Sequence, residues 1–190
     1  MILDESMEGK WGMGLKYFDE LSWDEITREE RFFCLQLYNH IKKSGIDEFI
    51  DILNQKRKSL LLPFDTNWEI GFEVCFYRDL WQHQGKVNDL YSSKRTFDLC
   101  LFSDDIIVII EAKSHQGFTS KQLNSIVEDE RVIKTLTNVT RVETVALFSS
   151  NYTPNEGTIP EAWIELHWDE LSGVYGNDAV LMRANDIYGK

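Results

Sequence analysis

Apolar residues recur along this chain in two different periods, and the change from one to the other separates helical from extended stretches. Over residues 24–44, Ile26, Phe33, Leu37 and Ile41 recur at helical spacing, with Ser22 or Asp24 available as a cap and Gly45 as a stop. That spacing predicts one helix. Ile46, Phe49, Ile50 and Leu53 continue as a short amphipathic helix over 46–53, followed by the basic run Lys56-Arg57-Lys58 and ended by Pro63. Residues 1–22 have no clear period and read as chain wrapped over the surface.

From Trp68 the period becomes two. Trp68, Ile70, Phe72, Val74 and Phe76 fall on one face and Glu69, Gly71, Glu73, Cys75 and Tyr77 on the other, which predicts a half-buried strand. Residues 78–95 are polar, with Gly85, Asn88 and Ser92-Ser93, and read as a long connection. An apolar hairpin is expected over 96–113, turning at Asp104-Asp105. Thr119 or Ser120 caps a helix to Leu136, with Leu123, Ile126, Val127 and Ile133 apolar. Residues 142–149 predict a further strand, Pro154 and Gly157 a loop, 162–168 a short strand and 169–174 a short helix.

The order is helix, three strands, helix, strand. Three consecutive strands can form a meander, and a right-handed crossover through the 119–136 helix brings the next strand parallel to an inner one. The fold class expected is α/β, a mixed central sheet flanked by helices. At 190 residues a single domain is the natural partition.

The hairpin carries the candidate chemistry. Alternation puts Asp98, Cys100 and Phe102 on one face of its first strand, and Ile109, Glu111 and Lys113 on one face of its second. With the turn at Asp104-Asp105, opposed residue numbers sum to 209, which sets Asp98 across from Glu111. Like charges directly opposed in a sheet are destabilising, and each raises the other's pKa unless a cation or hydrogen-bond donors intervene. A hard divalent ion with oxygen ligands is the simplest remedy.

Composition narrows the setting. Hydrophobic residues at 43% and aromatics at 13% are those of a globular protein. The longest apolar run, Ile106 to Ile110, is far too short for a bilayer, and the first residues lack the basic and apolar pattern of a signal peptide, so a cytoplasmic location is expected. Cys34, Cys75 and Cys100 match no zinc spacing and read as reduced core thiols. The histidines His40, His83, His115 and His167 show no metal spacing, with His115 a loop residue two positions beyond Lys113. No Gly-rich phosphate loop with a lysine is present.

The net charge of −12 opposes simple nucleic-acid binding. Its distribution moderates that. Residues 1–30 carry nine acids and three bases and residues 154–190 seven acids and two bases, whereas 31–153 hold sixteen acids and fifteen bases. Acidic ends solvate the protein or dock a basic partner; the centre is nearly neutral.

The element order, with an Asp in the second strand and Glu-x-Lys ending the third, resembles the PD-(D/E)XK nuclease superfamily, the restriction-endonuclease-like fold, over about residues 24–150. Asp98 matches its lone acid, and Glu111 and Lys113 its Glu-x-Lys signature; Phe97 stands where the nominal proline would be. Gln122, early in the next helix, and Glu30, on the leading helix, match positions where many members carry a glutamine and a glutamate. The resemblance implies an αβββαβ core and a nuclease hydrolysing phosphodiester bonds, in DNA rather than RNA. Asp98, Glu111 and the Ala112 carbonyl would hold Mg²⁺ or Mn²⁺, Lys113 would orient or deprotonate water, and Gln122 would position water or phosphate. Glu30 could reach a second metal or its water, with Glu29 and Glu73 as alternatives. A homodimer is a further possibility it raises. The acidic charge sustains another reading, a catalytically silent module of the same fold: a partner-dependent subunit or an immunity-type inhibitor of a basic toxin.

Overall fold

The computed structural model describes residues 21–57, 60–86, 91–155 and 158–190. The expectation for residues 1–22 therefore falls almost wholly outside them, as do Lys58, Asn88 and Gly157. Five strands form one open mixed sheet in the order β1-β2-β3-β4-β5, which is also chain order. They are β1 (Glu69–Val74), β2 (Phe97–Phe102), β3 (Ile106–Ala112), β4 (Arg141–Phe148) and β5 (Ile164–His167). The helices are α1 (Trp23–Ile26), α2 (Glu30–Ser44), α3 (Ile46–Lys56), α4 (Phe76–Gln84), α5 (Ser120–Leu136), α6 (Trp168–Val174) and α7 (Ala179–Asp186).

β1, β2 and β3 are the expected antiparallel meander, and β4 returns parallel to β3, with β5 parallel to β4. The hairpin register is the expected one: Leu99 faces Ile110 and Cys100 faces Ile109. β3 is the centre of the molecule, buried along all seven residues. Its run of β-branched residues suits a strand covered on both faces. Val108, Ile110 and Ala112 join a core with Phe33, Cys34 and Leu37 of α2 and Phe49, Ile50 and Leu53 of α3. Ile107 and Ile109 join another with Tyr77 and Trp81 of α4 and Val132 and Ile133 of α5. Cys34 and Cys100 are buried thiols in these cores, and Cys75 is half-buried.

Four expectations are corrected. The first helix breaks at Thr27, whose backbone is extended and whose Oγ1 accepts from Glu29 N at 3.2 Å, so Glu30 opens α2 instead of lying inside a longer helix. The first strand stops at Val74, and the polar connection begins as α4: Phe76, Tyr77 and Trp81 bury one side, and Gly85 ends the helix in the left-handed conformation. Val127, one of the apolar positions read for the 119–136 helix, is exposed, whereas Val132 of α5 is buried. The chain beyond Val174, for which no element was expected, forms α7, whose Val180, Leu181 and Ala184 pack into the first core together with Ile187 just past its end. Asp178 caps α7 by accepting from Val180 N and Leu181 N at 2.8 and 2.9 Å. Ile164, Leu166, Trp168, Leu171, Leu181 and Ala184 thus belong to the first core. Among the described residues no helix is long and apolar enough to cross a membrane.

The start of α5 is held by reciprocal caps, Gln122 N donating to Thr119 Oγ1 at 3.3 Å and Thr119 N to Gln122 Oε1 at 3.1 Å. Thr119→Ala is expected to cost about 1 kcal/mol, read as a lower midpoint of urea unfolding at unchanged slope; an unchanged midpoint would mean that the cap contributes nothing.

Candidate functional site

Strand register brings three acids into one row. β1 pairs with β2 so that Phe72 faces Leu99 and Val74 faces Phe97, which leaves Glu73 level with Asp98. β2 pairs with β3 so that the next position after Leu99–Ile110 sets Asp98 level with Glu111. The row lies at the end of the sheet where β3 and β4 finish. There Lys113 continues the parallel ladder, its N–H donating to Leu147 O at 2.8 Å, while its carbonyl accepts from the indole of fully buried Trp168 at 2.9 Å.

The pleat inverts at this row. Ile70 and Phe72 pack with the α2–α3 core, yet Val74 packs with the α4–α5 core; on β2, Leu99 and Leu101 lie in the first and Phe97 in the second. The inversion coincides with Glu73, whose φ of 51° lies in the left-handed region. A non-glycine residue held there costs of order 1 kcal/mol or more and persists only where its surroundings impose it.

Four carboxylates and two cations meet around the row. The Lys113 ammonium is 3.0 Å from Glu30 Oε1 and 3.5 Å from Glu111 Oε1, and donates to the Ala112 carbonyl at 2.5 Å. The break before α2 is what brings Glu30 there, and its second oxygen accepts from Ser114 N at 3.1 Å. Asp98 Oδ2 accepts from Ala112 N at 2.8 Å. Glu73 pairs with Arg31 at 3.2 Å. Glu30, Glu73, Asp98, Glu111, Lys113 and Arg31 line a cavity of about 710 Å³, with Arg28, Glu29, His115 and Lys190 completing its wall.

The electrostatics follow from burial. The Glu111 side chain is only 8% exposed; its pKa is pushed up to about 7 by burial first and then by the Asp98 charge, against the pull of Lys113. Burial raises Asp98 and Glu30 as well, opposed in both by Lys113, and Glu73 is raised for the same reason against Arg31. Burial alone would lower Lys113, but Glu30, Glu111 and Asp98 together hold it above its ordinary value.

Asp98, Glu111, Lys113, Ala112 and Glu30 are therefore brought together, and of the alternatives Glu73 lies in the row while Glu29 lines the wall. Gln122 is not among the cavity's lining residues; its amide oxygen is committed to Thr119, so its place is the α5 cap. Arg31 and Ser114 are site residues that sequence reasoning missed. Arg31 stands one position beyond Glu30, a helical neighbour that only the fold turns toward Glu73. Ser114 contributes a backbone N–H, for which side-chain identity gives no signal.

Every donor in the row is a carboxylate or carbonyl oxygen, the set a hard divalent cation takes. With all four carboxylates ionised, Lys113 and Arg31 leave the inner cluster with a formal charge of −2. The donor chemistry fits such an ion. Among the described residues, however, no three His, Cys, Asp or Glu side chains are gathered to hold a metal as they stand. The oxygens of Glu30, Glu111 and Ala112 converge on the Lys113 ammonium instead.

Comparison with protein-family models, with curated proteins and with solved structures gave no match to this chain.

Because Glu111 titrates near 7 in the fold and at its ordinary 4.5 in the unfolded chain, the folded state binds more protons between those values, and stability falls as pH rises through them. Lys113 contributes nothing to that slope, since its stabilisation is complete below its ordinary 10.5. Urea midpoints are expected to decline between about pH 5 and about pH 8, and to decline less in Glu111→Gln. An equal fall in the variant would remove Glu111 as the source.

Proposed function

We propose that this cavity is the site of a metal-dependent phosphodiester hydrolase, a nuclease of the restriction-endonuclease-like type acting on DNA. The observation that carries the reading is the row of Asp98 and Glu111 with Lys113 beside it, joined by Glu30 from the opening turn of α2. A register shift of one residue would have put the two acids on opposite faces.

Asp98, Glu111 and the Ala112 carbonyl would hold Mg²⁺ or Mn²⁺, which when bound supplies positive charge to a phosphate oxygen and lowers the pKa of water. The protein's own groups do the remainder. Lys113, buried and protonated, donates hydrogen bonds toward the attacking water and the developing negative charge; in leaving its present contacts it would uncover the oxygens of Glu30, Glu111 and Ala112. Glu30 holds Lys113 and the Ser114 N–H, fixing the loop after β3. Arg28, Arg31, His115 and Lys190 on the cavity wall supply donors for a phosphate that would otherwise meet mostly carboxylates.

A second reading, a silent module of the same fold, is favoured by one specific contact set: the Lys113 ammonium already satisfies the oxygens a metal would take. An internal ion pair can persist as structure alone.

Incubating the protein with linear, nicked and branched DNA and Mg²⁺ or Mn²⁺ separates the two. Cleavage is expected, reduced at least about a hundredfold in Asp98→Ala and Lys113→Ala. No cleavage of any substrate, or cleavage in both variants unchanged from the wild type, would sink the enzyme. Calorimetric titration of Mg²⁺ or Mn²⁺ should show binding that Asp98→Ala abolishes, whereas absence of metal binding with tight capture of a basic protein supports the module.

A further inference from the structure

We infer that the face between the end of α4 and the segment entering β2 binds a single nucleic-acid strand running on from the Asp98 cavity. The inference rests on the hydrolytic reading and extends it from where a bond is cut to where the strand is held.

A cavity of about 590 Å³ lies on this face. Arg78, Lys86 and Lys94 supply three cations around the half-buried ring of Tyr91, with Ser92 beside it and buried Trp81 behind, and no carboxylate is among its described lining residues. Asp79, bonded to Arg78 at 2.8 Å, offsets part of one charge. In a chain of net charge −12 a cationic, aromatic concavity runs against the whole. Phosphates need such cations, and an unstacked base of any identity can lie on an exposed aromatic ring.

The frame behind it is rigid. Half-buried Tyr91 stacks on Tyr77 at 5.4 Å and 15°. Tyr77, 2% exposed, donates its hydroxyl to Asp129 at 2.5 Å, and Asp129 also accepts from Arg95 Nε at 2.8 Å. Tyr91 is thus the outer member of a fixed two-ring stack, pre-organised to take a third ring. Arg95 follows Lys94 directly, and Asp98 lies four residues past Lys94, at most roughly 14 Å along extended chain. A strand of a few nucleotides could span that distance. A base inside a duplex presents no free face, so this geometry selects a single strand over a double one.

The test is fluorescence anisotropy with labelled oligo-dT and oligo-U of about 20 nucleotides and a duplex of the same length. Full-length Asp98→Asn is used, with EDTA present, so that binding is read without cleavage. The strand is expected to bind more tightly than the duplex. Tyr91→Ala should weaken it about tenfold or more, with Tyr91→Phe restoring affinity. The combined Arg78→Ala, Lys86→Ala and Lys94→Ala variant should also weaken it and lower the slope of log affinity against log salt by roughly 2, which Tyr91→Ala should not change. Affinity and salt slope unchanged in both variants, or duplex binding tighter than strand, would overturn the inference. Intact strand binding by a wild-type protein that cleaves nothing would instead remove the hydrolytic reading and leave this face standing.

Discussion

Negative charge crowded at one end of the sheet is the constraint around which the rest of this molecule is arranged. Glu73, Asp98 and Glu111 stand level on three adjacent strands, and Glu30 is added from above. Burial raises all four pKa values and the Asp98 charge adds to the rise in the other three, and Lys113 with Arg31 can neutralise only half of the charge. Hydrophobic packing alone would never place carboxylates so. The cost of desolvating them is met by hydrogen bonds from Ala112 N and Ser114 N and by one shared ammonium. What remains is a surplus that a cation from outside would relieve.

The scaffold holds this arrangement from several directions. Trp168, its side chain fully buried, fixes the Lys113 carbonyl, so a strand and helix far along the chain position the site's lysine. Gly189 N reaches the His115 carbonyl and Arg28 the Lys190 carbonyl, which lays the end of the chain beside the cavity. The left-handed backbone at Glu73 is the local strain of this construction. It turns Val74 and the residues after it into the second core, and so allows α4 to start at once.

Much of this was legible in the sequence because the relevant periods are strong. The alternation across Phe97–Phe102 and the β-branched run in β3 specify a hairpin whose register follows from the Asp104-Asp105 turn, and so set Asp98 level with Glu111. Legibility failed where tertiary geometry overrides local pattern. Ile26 and Phe33 keep a helical spacing across Thr27, yet the chain breaks there. Phe76 and Tyr77 continue a strand-like alternation, but Phe76, Tyr77 and Trp81 bury as one side of a helix. Gln122 occupies a position that family resemblance made chemical, while its local partner, Thr119 three residues before, makes it a cap. Asp178 and the spacing of Val180, Ala184 and Ile187 did carry a helix signal, one that the polar residues around them masked.

The acidic net charge is less of an obstacle to a polyanion than its size suggests, because fields are local. At physiological ionic strength charges separated by more than about 8 Å are largely screened. An approaching phosphate therefore meets the lining of the surface it approaches, not the sum over 190 residues. At the Asp98 cavity that lining pairs carboxylates with Arg28, Arg31, Lys113 and Lys190. On the neighbouring α4 face it is cationic and aromatic. The two surfaces are complementary on the proposed reading: one holds the strand by its phosphates and a base, while the other, short of positive charge, takes up a divalent ion before it can accept the phosphate to be cut. On that reading, negative charge at this end would make phosphate binding conditional on the metal and so tie affinity there to the ion proposed to support the reaction.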